Sequence, residues 1–165
     1  MNLYTKLFSL ALIPAALAAS DSKAARQSLK GLTGFAIEVE DVGSKKTAGV
    51  DPAKIKSNVE AKLKGAGIKV LSDDEASKAP GNPHLSVNLD SITAKDNTVS
   101  FELTLAVFQG CTLARDSTMK VPACNTWSRG KVGRANSGVP AFIDQQISSE
   151  VDAFLRAYAE VNPKK

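Results

Sequence analysis

His84, the single histidine of the 165-residue chain, is the one side chain whose ordinary ionisation suits general-base work at neutral pH. A serine or cysteine nucleophile would depend on it. It follows Asn82-Pro83 at the entry to an alternating apolar run, the place of a surface or edge residue. Carboxylates cluster at Glu38/Glu40, at Asp73-Asp74-Glu75 and at Asp90. Glu38 and Glu40 alternate with apolar residues, as solvent-facing strand positions do. Asp73 to Glu75 follow Ser72 in the pattern of a helix start, where negative charge complements the helix dipole. Gly31-Leu32-Thr33-Gly34 has neither the spacing nor the lysine of a phosphate loop. A hydrolase would need a deep cleft that brings polar groups around His84 or a carboxylate pair. No catalytic constellation, metal site or cofactor motif is found, so the expected protein is not an enzyme.

Cys111 and Cys124 are the only cysteines. Their separation matches neither the short spacing of a metal pair nor the C-x-x-C of a redox enzyme. In an exported protein an even count favours a disulfide, which over so short a loop contributes ~2–4 kcal/mol. The alternative is two free or separately buried thiols.

Export itself is read from residues 1–19. Lys6 gives a basic start, Leu7 to Leu17 is mostly apolar, and Ala16-Leu17-Ala18 fits the small-x-small rule. Cleavage is expected after Ala18 or Ala19. The apolar run is shorter than the ~20 residues that span a bilayer, and no later segment is long and apolar enough to anchor the chain. Residues 20–165 are then one exported domain in the periplasm or the medium. The net charge of +4 comes without a run of five basic residues. The pairs Lys45-Lys46 and Lys164-Lys165 read as solvated charge, so no nucleic-acid partner is expected.

The elements that must position any site follow from periodicity. Ala24 to Leu32 allows a short helix. Phe35, Ile37 and Val39 alternate with Ala36, Glu38 and Glu40 in a strand. Asp51-Pro52 opens a helix with Ile55, Val59, Leu63 and Ala66 on one face, ended by Gly65 and Gly67. Ile68 to Leu71 is a short strand, and Ser72 to Lys78 a brief helix with a capping box. Pro140 introduces a final helix striped by Ile143, Ile147, Val151, Phe154, Tyr158 and Val161, with Glu150 largely off the stripe.

Between them lies a meander. With Lys95-Asp96-Asn97 as a three-residue hairpin loop and Asn97 left-handed, Leu89 faces Leu103, Val87 faces Leu105 and Leu85 faces Val107. A second hairpin turns around Asp116 to Met119. If Cys111 and Cys124 are directly opposite, Phe108 faces Trp127, Ala106 faces Arg129 and Thr104 faces Lys131, with Val132 on the core side. Phe108, Trp127, Arg129 and Lys131 then form an aromatic-basic patch on the open sheet face, the composition of a binding surface. A bulge at Gln109-Gly110 would shift this pairing by one. The competing placement buries Trp127 under the amino-terminal helix or the 111–124 loop.

The order β-α-β-(α)-β-β-β-α predicts an α+β fold, a five-stranded mixed sheet with two long helices on one face. The run from Gly34 to Asp90, with Leu63-Lys64-Gly65-Ala66-Gly67-Ile68, Val70-Leu71-Ser72 and Glu75-Ala76, followed by Thr126-Trp127-Ser128 and a closing helix, resembles the amino-terminal domain of TolB and LpoB-like exported bacterial domains. That resemblance implies a protein-binding module of the cell envelope. The expected function is therefore an exported accessory module that contacts an envelope or extracellular protein. The alternative is a small-ligand carrier or sensor with a pocket between sheet and helices, to which no cofactor is assigned.

Overall fold

The alternation from Phe35 to Glu40 forms strand β1 (Gly34–Asp41), and the two hairpins form β3 (His84–Thr93), β4 (Val99–Leu113) and β5 (Asp116–Ala135). A two-residue strand, β2 (Lys69–Val70), completes the sheet in the order β2-β1-β3-β4-β5. The computed structural model describes residues 21–41 and 49–163. Residues 1–19, expected to be a leader, and the pairs Lys45-Lys46 and Lys164-Lys165 lie outside the described residues. β1 runs parallel to β2 and β3, while β3, β4 and β5 form an antiparallel meander. The architecture is α+β, as the element order predicts.

Helix α1 (Lys23–Gln27) is shorter than its apolar pattern allows, and Ser22 caps it by accepting from the Ala25 amide. Helix α2 (Pro52–Gly65) starts on Asp51, whose carboxylate accepts from the Ala53 amide, and buries Ile55, Val59 and Leu63. Helix α3 (Asp73–Lys78) carries the expected capping box between Ser72 and Glu75. Helix α4 (Val139–Val161) is the long closing helix.

The first hairpin has the expected register: Leu85 opposite Val107, Val87 opposite Leu105 and Leu89 opposite Leu103. Asn97 adopts φ +62°, the left-handed turn that Asn tolerates with little steric cost. These residues share one core with Phe35, Ile37, Ile55, Val59, Leu63, Ile143, Val151 and Phe154, so α2 and α4 cover a single sheet face. Phe35 and Trp127 both meet the Phe154 ring edge-on, at centroid distances of 5.4 and 5.2 Å.

The second hairpin departs from expectation. Its turn falls at Ala114-Arg115, because Leu113 pairs with Asp116. Cys111 is opposite Val121 and Cys124 is opposite Gln109, so the cysteines do not oppose one another. Irregularities occur at Val107/Phe108, at Gln109/Cys111 and at Thr112/Leu113. Thr126 is the extra residue of the first. Its hydroxyl accepts from Gln109 Nε2 at 2.8 Å, and its carbonyl accepts from Ser28 Oγ at 3.2 Å. Below that bulge Trp127 pairs with Val107, Arg129 with Leu105 and Lys131 with Leu103. Because side chains alternate, this one-residue offset carries all three to the helix-covered face and sends Val132 to the open face.

Candidate functional site

The proposed quartet is thereby split. Trp127 is fully buried, and Arg129 and Lys131 lie on its side of the sheet. Phe108 alone stays on the open face, beside its strand partner His84. The energetic reason is the indole. Burying a tryptophan side chain is worth roughly 5 kcal/mol of hydrophobic transfer. The two cations that follow it inward sit on an edge strand, so their head groups still reach the rim of the helix layer.

There they are neutralised. Asp21, just before α1, accepts from Trp127 Nε1 at 2.9 Å, from Arg129 at 2.9 Å and from Arg26 at 2.8 Å. Glu150 of α4 accepts from Arg129 Nε at 2.9 Å and lies 2.8 Å from Lys131 Nζ. Lys131 also donates to Gln146. Burial pushes the Glu150 carboxyl up, but the hydrogen bonds from Lys131 and Arg129 outweigh it and hold the group below its ordinary value. Asp21 balances in the same way: burial raises it, and bonds from Arg26, Trp127 and Arg129 bring it down. Three cations meet three carboxylates once the Arg26–Glu160 pair is included. This network joins α1, β5 and α4, and its charges are matched within the fold.

Sequence reasoning missed both carboxylates. Asp21 gives no local signal. Glu150 does: it stands seven residues after Ile143 and four before Phe154, on the buried stripe. A carboxylate there requires a buried partner.

The open face has a different character. Glu38 and Glu40 of β1, Asp90 of β3 and Glu102 of β4 are exposed on it, against Arg134 and His84. Ile92 and Val132 stand out from it, 72% and 66% exposed. At one end a concavity of about 400 Å³ is lined by Glu38, Glu40, Asn82, His84, Phe108 and Pro122. His84 Nε2 is 3.1 Å from Asn82 Oδ1. Its Nδ1 is 2.8 Å from Glu38 Oε1, yet off the hydrogen-bonding direction, so the contact is not a directed bond. An aromatic face beside two carboxylates can receive an organic cation, such as a lysine or arginine side chain.

Cys111 and Cys124 are both free, half-buried thiols. Burial and the neighbouring Cys124 thiol push Cys111 up to about 11. A second concavity, of about 250 Å³, lies between α2 and α4, with Ile55, Val59, Ile147 and Val151 in its lining and Lys62 and Asp144 among its polar groups. It opens between the helices, whereas the space between helices and sheet is filled by Phe35, Leu103, Trp127 and Phe154. Among the described residues no group of three metal-binding side chains occurs, and no helix is long and apolar enough to cross a membrane.

No protein-family model matches the sequence, and no curated protein matches it. Among solved structures, the chain is similar to a PelC variant from Paraburkholderia phytofirmans, described as a dodecamer. The two are 14% identical, the match covers 74% of this chain and 90% of that one, and the TM-score is 0.43.

Proposed function

We propose that the protein is an exported, non-enzymatic binding module that holds a basic segment of an envelope or extracellular protein against its open sheet face. The observation that carries this reading is the concavity where Phe108 stands beside Glu38 and Glu40. The acidic character of that face runs against the net charge of +4, which favours one orientation of approach for a cationic partner. A lysine or arginine anchored against Phe108, with Asp90 and Glu102 meeting further basic residues and Ile92 and Val132 giving apolar contact, engages the acidic and apolar residues of the face. The leader-like residues 1–19 and the resemblance to envelope domains favour the periplasm or the medium as the place where this happens. In such a compartment Cys111 and Cys124 would be oxidised to a disulfide.

The test is capture from an envelope extract by wild type, Phe108→Ala and Glu40→Lys. The partner retained by wild type should carry a basic segment, be released by salt and be lost by both variants. Equal capture by all three proteins would remove the surface from consideration.

The groove between α2 and α4 favours a second reading, a carrier of a small apolar ligand. A small molecule retained by the purified protein in native mass spectrometry, and lost on Val59→Trp, would support it.

A further inference from the structure

The sheet ends on one side at the two-residue β2 and on the other at the twenty-residue β5. A long edge strand presents a row of unpaired backbone donors and acceptors, which proteins ordinarily blunt with bulges, proline or charge. β5 is blunted over half its length only. From Asp116 to Thr126 it carries Pro122 and the register breaks. From Trp127 to Ala135 it pairs with β4 without interruption, and from Arg129 to Ala135 its outer side pairs with no described strand. Two of the three charges on this stretch are spent, because Arg129 and Lys131 turn under the helices to Asp21 and Glu150, which leaves Arg134 near its end as the one exposed charge. Gly130, Gly133 and Ala135 offer no bulk, and Val132 is 66% exposed.

We infer that this edge pairs with the same edge of a second copy, antiparallel about a two-fold axis at Val132, giving a continuous ten-stranded sheet. The sequence of the edge fits both this occupant and this register, which alone sets the exposed valines against each other. Centred on Val132, the two valines oppose each other, Gly130 opposes Arg134, Lys131 opposes Gly133 and Arg129 opposes Ala135. No charge meets its like, and the exposed valine gains an apolar neighbour. Centring on Lys131 would oppose two lysines. An offset of one residue would set the helix-covered face of one copy against the open face of the other. Residues 129–135 span roughly 24 Å at ~3.4 Å per residue. That edge alone is a small interface, so the dimer is weak, with a dissociation constant in the micromolar range. The pairing does not depend on any basic partner.

Sedimentation equilibrium of the purified chain over a micromolar concentration series tests it. Wild type should show a reversible monomer–dimer equilibrium, and amides within 129–135 should exchange more slowly as concentration rises. Val132→Asp and Val132→Lys each set like charges across the axis and should weaken the dimer roughly tenfold. An equimolar mixture of the two sets unlike charges there and should associate again. Ser57→Lys, at an exposed position of α2 away from the edge, should leave dimerisation unchanged. Monomer at every concentration overturns the inference, as does a dimer that Ser57→Lys breaks or that the Val132 variants leave intact. A mixture that stays monomeric overturns the register.

Discussion

Replacing Glu150 by glutamine removes a negative charge from a residue that is 2% exposed while keeping its shape. The carboxylate meets two cations, Arg129 at 2.9 Å and Lys131 at 2.8 Å. Glutamine has one oxygen for them, and its amide nitrogen is a donor facing a donor. One charge-assisted hydrogen bond is lost, and such bonds contribute about 1.5–3 kcal/mol. Both cations are about a third exposed, 36% and 31%, and regain some hydration, which moves the loss toward the lower end of that range. A destabilisation of about 2 kcal/mol lowers Tm by about 4–8 °C in a domain of this size. The acid dependence supplies a second readout. Glu150 titrates below its ordinary 4.5 in the folded protein, so its stabilisation is fully present above about 4.5 and is lost as pH falls through the lower folded value. Urea unfolding of wild type and Glu150→Gln should therefore differ most near neutral pH and converge as the pH drops below about 4. Equal stability at neutral pH, or a gap that stays constant on acidification, would refute the account of Arg129 and Lys131 as structural cations.

Three further perturbations have defined outcomes. A Cβ at Gly133 would lie 2.5 Å from Phe101 Cζ, and Phe101 is itself held edge-on by Phe142, so Gly133→Ala should cost about 1–3 kcal/mol in urea unfolding. The reduced protein should alkylate slowly at Cys111 at neutral pH, because its thiol is pushed up to about 11, and the proposed export to an oxidising compartment predicts that the two thiols, free in this structure, become one internal disulfide; labelling of both thiols without reductant would contradict that pairing. Ser72→Ala removes the side-chain half of the α3 capping box and should cost about 1 kcal/mol, read as faster amide exchange across Asp73–Lys78.

The β3–β4 register was legible because its determinants are local: a loop ending on Asn97 and six alternating apolar residues that agree with it. The β4–β5 register was not, because the bulge at Thr126 is held by Gln109 across the ribbon and by Ser28, 98 residues away in sequence. Without that bond to α1, nothing in 108–127 tells a pairing from its one-residue neighbour. The consequence was large, since one residue of offset exchanged Trp127, Arg129 and Lys131 for Val132 on the exposed side. Basic residues alternating with tryptophan read as a polar face. They read otherwise only when Asp21 and the on-stripe Glu150 are recognised as their counterions.

Trp127 is the sole tryptophan, and the hydrogen-bond acceptor of its indole belongs to Asp21, at the very start of the described chain. The intrinsic emission of the molecule therefore works as a gauge of its amino-terminal clasp. Any protease that nibbles back past Asp21, or any fusion that pulls that residue from its seat, would be seen in the colour of one fluorophore before the rest of the fold had responded.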